Sequence, residues 1–291
     1  MYSHEGRIIE VTRSQLISRT NNLLKKYGLR AFKSYSQHFV VEPKLIHWHL
    51  KYANLTKEDV VVEVGAGLGT LTQFLAQRVK RVIAVEFDPE FIAILHEELA
   101  DCNNVEIMEG DILKLGSNIF NGRKIVSNPP YKISSPLTFE ILQSEFILAV
   151  MSYQKEFAER LIAQPGMKNY SRVTLGVQYY AKVESLRMIP RNYFRPPPKV
   201  DSTLVRLTPI VPPIHLENER EFFDFVRHLF SFRKKSVRRA LGLYLKQQEG
   251  QEQIKSKLET ISLASKRVFQ LSLPQFYELF EFLKDQKTHD S

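Results

Sequence analysis

The spacing of hydrophobic positions changes several times along the chain, and each change marks an element. Between Asp59 and Tyr153, the apolar runs Val61-Val62-Glu63-Val64, Val82-Ile83-Ala84-Val85, Val105-Glu106-Ile107-Met108 and Lys124-Ile125-Val126-Ser127 alternate with stretches of helical periodicity. Near-continuous apolar strands separated by helices predict an α/β fold with a parallel sheet covered by helices on both faces. Helix starts are readable at Thr12 with Gln15, at Pro43, at Asp88-Pro89, at Ser135-Pro136 and at Ser272-Leu273-Pro274-Gln275, where capping side chains or a proline suit the first turn. After Pro165-Gly166 a helical stretch runs to Tyr180, and strand-like runs follow at Leu186 to Ile189 and Thr203 to Leu207. Pro209, Pro212 and Pro213 read as a linker. Beyond it the pattern is helical, with Phe222, Phe223, Val226, Leu229 and Phe230 and then Phe276, Leu279, Phe280 and Leu283 as the core of a small domain. The expected organisation is a basic helical lead-in over 1–35, an α/β domain over 36–209 and a small helical domain over 210–291.

The chemistry-bearing residues stand where the strands end. Gly65, Gly67 and Gly69 follow the first run, where missing Cβ atoms let backbone approach a nucleotide cofactor and the next helix offers unpaired N–H groups. Thr70 occupies the place where a dinucleotide fingerprint wants its last glycine, which disfavours NAD. Glu86 ends the next run about 20 residues on, the position of an acid that binds ribose hydroxyls. Asp111 follows the third run and is expected to accept from the amino group of a bound adenine, leaving Ile112 to pack on the ring; its alternative role as a helix cap is set aside because three other strand ends carry site residues. Asn128-Pro129-Pro130-Tyr131 ends the fourth. There an amide oxygen and a stiff proline carbonyl suit the two N–H bonds of a flat exocyclic amine, with Tyr131 to stack on its base.

In this order the motifs resemble class I, Rossmann-like, S-adenosylmethionine-dependent methyltransferases that modify adenine amino groups. More narrowly, the chain resembles the rRNA adenine dimethyltransferases of KsgA/Erm type, most of all the small-subunit enzymes. Ser36-Gln37-His38-Phe39-Val40 is similar to that family's Q-N-F-L segment, with His38 and Val40 in place of Asn and Leu, so contacts through their backbone should survive best. Gln154 to Leu161 and Phe194-Arg195-Pro196-Pro197-Pro198-Lys199-Val200-Asp201-Ser202 match two further segments. The resemblance implies a cofactor set of Gln37, His38, Val40, Gly65, Gly67, Glu86, Asp111, Ile112 and Asn128. It implies a catalytic set of Asn128, Pro129, Tyr131 and Phe194, in which Tyr131 and Phe194 sandwich the target adenine. It also implies two methyl transfers to each of two adjacent adenosines near the 3′ end of small-subunit rRNA. Pro130 replaces the usual Leu or Ile and is similar to DNA adenine methyltransferases, so a DNA enzyme, an Erm-type large-subunit enzyme and a non-catalytic ribosome-assembly factor stand as alternatives.

Charge supports a polyanionic partner. The 291 residues carry 41 Lys and Arg against 32 Asp and Glu, a formal net charge of +9. Arg233, Lys234, Lys235, Arg238 and Arg239 form a run with no acid among them, expected to contact RNA phosphates. The lead-in is cationic through Arg13, Arg19, Lys25, Lys26, Arg30 and Lys33, and either touches RNA or packs on the main domain. The single cysteine, Cys102, excludes a disulfide framework and points to a reducing, cytoplasmic home. His47 and His49 stand two apart, the wrong helical spacing for a shared metal, and no metal site is expected. No apolar run approaches the ~18 residues of a membrane span.

Overall fold

The computed structural model describes residues 11–29, 37–246 and 261–288; Arg30, Lys33 and Ser36 lie outside the described residues. The chain divides into two compact units, Met1–Ala158 with Ala181–Pro209, and Glu159–Tyr180 with Ile210–Ser291. The proline-rich stretch suggests a single division at residue 209. The structure instead assigns 159–180 to the helical unit, because Tyr170, Leu175 and Tyr179 are buried in the same apolar cluster as Phe222, Phe225 and Phe276.

The first unit opens with α1 (Arg13–Lys26). Thr12 accepts from the Gln15 N–H at 3.3 Å while Gln15 Oε1 accepts from the Thr12 N–H at 2.7 Å, the reciprocal cap its sequence predicts. There follow β1 (Phe39–Val40), α2 (Pro43–Tyr52), β2 (Val60–Val64), α3 (Thr70–Ala76), β3 (Arg81–Glu86), α4 (Pro89–Glu98), β4 (Val105–Glu109), α5 (Ile112–Leu115), β5 (Lys124–Ser127), α6 (Ser134–Leu142), β6 (Leu148–Gln154), α7 (Lys155–Leu161), β7 (Ala181–Ile189), β8 (Phe194–Arg195) and β9 (Ser202–Pro209). Asp88 caps α4 by accepting from the Glu90 N–H, with Pro89 in its first turn. α6 begins one residue before the expected Ser135, with Ile133 at the cap position and no side-chain cap.

Seven strands form one sheet in the order β4-β3-β2-β5-β6-β9-β7. The five within 59–153 are parallel, as their apolar runs require, and β9 joins antiparallel to both β6 and β7. The order reverses at β2, which has β3 on one side and β5 on the other, and open sheets of this kind bind ligands outside the strand ends at such a switch point. The β2–β5 ladder pairs Val61 with Lys124 and Val62 with Ile125. Above it the buried Ser127 hydroxyl bridges the strands, donating to the Val64 carbonyl at 2.6 Å and accepting from the Val64 N–H at 3.3 Å. A second, two-stranded sheet pairs Phe39 with Arg195 and Val40 with Phe194. Two-residue strands leave no periodicity to read.

In the second unit, α8 (Arg172–Tyr180), α9 (Glu219–Ser231), α10 (Val237–Leu245) and α11 (Leu273–Thr288) surround the aromatic cluster. The expected core positions Phe222, Val226, Leu229, Phe230, Phe276, Leu279, Phe280 and Leu283 are buried, and Phe223 is partly so. Phe230 stacks on Phe276 with ring centroids 5.4 Å apart, and the Tyr170 hydroxyl donates to the Leu271 carbonyl at 2.8 Å.

Candidate cofactor and acceptor site

The ends of β2, β3, β4 and β5 enclose a pocket of about 460 Å³ in the first unit, within the range of small-ligand and cofactor sites. Gln37, His38, Val40, Gly65, Gly67, Glu86, Asp111, Ile112, Asn128, Pro129 and Tyr131 all line it, so eleven residues drawn from separate stretches of sequence meet in one place. The loop glycines are needed there. Gly65, Gly67 and Gly69 have φ of +75°, +55° and +68°, a region that costs other residues strain. A Cβ on Gly65 would lie 2.8 Å from Pro130 Cδ, and one on Gly67 would lie 3.3 Å from Phe39 Cε1.

Glu86 binds the loop as well as facing the pocket. Its Oε2 accepts from the Gly67 N–H at 2.8 Å, and its Oε1 accepts from the N–H groups of Phe87 and Asp88 at 2.9 and 3.1 Å. Burial pushes its carboxyl upward, against the pull of those three backbone donors. Asp111 does cap a helix: its Oδ1 accepts from the Leu113 N–H at 3.1 Å at the start of α5. The cap role that the strand-end pattern argued against is therefore present, and Oδ2 is the oxygen left to a ligand.

The Asn128 amide is oriented by its neighbours. Its Nδ2 donates to the His38 carbonyl at 3.2 Å, which turns Oδ1 the other way, and that oxygen is buried without a hydrogen-bond partner. The contact runs through the His38 backbone, as the departure from Asn at this position required. The half-buried His38 ring donates from Nδ1 to the Pro196 carbonyl at 2.8 Å and lies 5.7 Å from the Tyr131 ring. Its burial lowers the imidazole pKa. Tyr131 is held by a 2.6 Å hydrogen bond between its hydroxyl and Ser202 Oγ, and burial raises its phenol well above the usual range. Phe194 is not brought to the pocket wall. It is 2% exposed and packs with Val40, Ile189 and Leu204.

Sequence reasoning missed Glu63. It is 3% exposed, lines the pocket, and has Oε2 buried without a hydrogen-bond partner. Burial raises its carboxyl to about 8, opposed by the Thr72 hydroxyl and reinforced by the Glu86 charge. The signal was an acid inside an otherwise apolar strand, immediately before the glycines. His49, by contrast, is a satisfied core residue. Its Nδ1 donates to the Leu45 carbonyl, its Nε2 pairs with Ser152, and burial lowers it to about 4.

With this geometry, the chain matches the family model of ribosomal RNA adenine dimethylase over residues 28–285. It belongs to that family. It is 38% identical over 273 residues to the probable ribosomal RNA small subunit methyltransferase A of Methanosarcina barkeri, covering 93% of this chain and 94% of the relative. Among solved structures it is similar to a dimethyladenosine transferase from Plasmodium falciparum, with TM-score 0.72, 30% identity and coverage of 86% and 98% of the two chains. It is also similar to the 23S rRNA methyltransferase ErmE, with TM-score 0.63, 25% identity and coverage of 84% and 99%. The chain is thus a methyltransferase of Rossmann-like fold, and methyltransferases of this type use S-adenosylmethionine. Among the described residues, no helix is long and apolar enough to cross a membrane, and no group of three or more His, Cys, Asp or Glu stands ready to hold a metal.

The basic run of this family member is not one helix face. Arg233 is engaged inside the helical unit: its Nη2 donates to the carbonyls of Lys168 and Tyr170 at 2.9 and 3.0 Å, and its guanidinium sits 5.4 Å from the Phe269 ring centroid. That removes it from the expected phosphate-binding set. Lys234 is exposed in the turn before α10, Lys235 is half-buried there, and Arg238 and Arg239 are exposed in the first turn of α10. Cations at a helix N-terminus oppose its dipole, so these two add no local stability.

Proposed function

We propose that the chain binds S-adenosylmethionine in this pocket and methylates the 6-amino group of adjacent adenosines near the 3′ end of small-subunit rRNA, twice each, during ribosome biogenesis. The pocket's donor set fits the cofactor: Glu86 faces the strand end where ribose hydroxyls can donate to it, and Asp111 Oδ2 can accept from the adenine amino group beside Ile112. Glu63 offers an unpaired buried oxygen to the ammonium of the methionine part. The cofactor supplies a methyl group on a sulfonium, a good leaving group that asks for no metal and no strong base.

The observation that carries the reading is Asn128 Oδ1, a buried acceptor without a partner, aimed away from His38 beside a stiff proline carbonyl. Asn128 and Pro129 would hold the two N–H bonds of the adenine amine and strengthen those bonds as the nitrogen takes the methyl and becomes cationic. The proton then leaves to solvent. Tyr131 would face the base. Phe194 would join it only after its ring leaves the packed position described above. Lys234, Lys235, Arg238 and Arg239 would bind phosphates.

The test is to incubate the protein with methyl-labelled S-adenosylmethionine and undermethylated small subunits, naked rRNA or DNA, and to map the label. Label on paired adenosines of the small-subunit RNA is expected. Label on DNA or on large-subunit RNA, or none, would overturn the assignment.

A further inference from the structure

We propose that α1 is a strap across the donor and acceptor sides of the pocket, with Arg19 the positioning residue that holds the glycine loop, an inference that rests on reading that loop as the S-adenosylmethionine site. Arg19 Nη2 donates to the Leu68 carbonyl at 3.0 Å and to Glu98 Oε2 at 2.7 Å, while Nη1 donates to Thr70 Oγ1 at 3.1 Å. Leu68 and Thr70 flank Gly69 and both line the pocket. One planar fork thus fixes the loop on either side of its left-handed glycine and ties it to α4. A guanidinium only donates, so Thr70 keeps its hydroxyl proton for another partner.

The same helix reaches further. Leu23 packs with Phe39, Leu68, Phe91 and Ile94, and Phe39 is the ring that closes over Gly67. On the acceptor side, Arg13 Nη2 donates to the Asn192 carbonyl at 2.8 Å, and Arg195 Nε donates to Asn21 Oδ1 at 2.7 Å. Those contacts lie on both sides of Phe194. A helix is stiff along its axis, so a strap of 14 residues that touches both regions makes their spacing a property of one element.

The test compares Arg19→Ala, Arg19→Lys and Lys26→Ala for binding of S-adenosylhomocysteine, turnover and thermal midpoint. Lys26 pairs with Glu97 on the surface of the same helix, away from the loop. Arg19→Ala is expected to raise the dissociation constant about tenfold, equivalent to about 1.4 kcal/mol. Its kcat at saturating cofactor should be unchanged, the mark of binding removed equally from ground and transition states. Arg19→Lys, which keeps the charge beside Glu98 but not the fork, should fall between, and Lys26→Ala should bind as the wild type does. Equal affinity in both Arg19 variants, or an equal weakening in Lys26→Ala, overturns the strap. A wild-type protein that fails to bind S-adenosylhomocysteine would instead sink the cofactor reading itself.

Discussion

Two buried oxygens without partners, on Asn128 and Glu63, are the sharpest features at the scale of single residues, because an unsatisfied buried acceptor is costly and is kept where a ligand completes it. Replacing Asn128 with Ala removes an acceptor at the reacting nitrogen and should lower the methylation rate by about 10²-fold or more. Cofactor affinity should stay within a few fold, because Glu86 and the loop are untouched; near-normal turnover in a single-turnover assay would disprove the assignment. Glu63 makes a pH prediction. Its carboxyl titrates at about 8 in the folded chain against about 4.5 ordinarily, so the folded state binds the extra proton between those values. Its contribution to stability is full below about 4.5 and is lost as pH rises through about 8. A cationic ligand group beside it pulls the other way, so cofactor binding at pH 7 should release a proton. Calorimetry in buffers of different ionisation enthalpy measures that release, and Glu63→Gln should abolish it.

At the scale of elements, the run from Arg233 to Arg239 separates into two roles that sequence could not tell apart. Neutralising Lys234, Lys235, Arg238 and Arg239 should weaken RNA binding at low salt and flatten its salt dependence, the log–log slope falling by somewhat under one unit for each phosphate no longer neutralised. Arg233→Ala should instead lower the unfolding midpoint, because it strips two carbonyls of their donor, with little change in salt slope per unit of folded protein. A filter-binding titration at several salt concentrations distinguishes them. Strand ends and helix caps were legible because a local pattern encodes them: Thr12 with Gln15, Asp88 with Pro89, and glycines after Val64 all act within a few residues of themselves. Arg233 and Phe194 were misplaced because their surroundings come from far along the chain, Arg233 meeting Lys168 and Phe194 meeting Val40. Charge and aromaticity name a residue's chemistry; only tertiary packing decides which way it points.

For the molecule as a whole, the second unit is discontinuous: Glu159–Tyr180 is followed by β7, β8 and β9 of the first unit before Ile210–Ser291 completes it. Ending the chain at residue 209 should therefore not yield a clean α/β domain. Tyr170, Leu175 and Tyr179 would be stripped of the partners from α9 and α11 that bury them, and a large uncovered apolar patch drives association. Size-exclusion chromatography should show aggregates from that truncation, and a well-behaved monomer would argue that 159–180 does not depend on the later helices. The same interleaving sets an order of events during synthesis. The apolar side of α8 leaves the ribosome roughly a hundred residues before α11 is finished, and at about 5–20 residues per second that is an interval of about 5–20 seconds. During that interval the newborn chain must keep a greasy helix from finding the wrong companion.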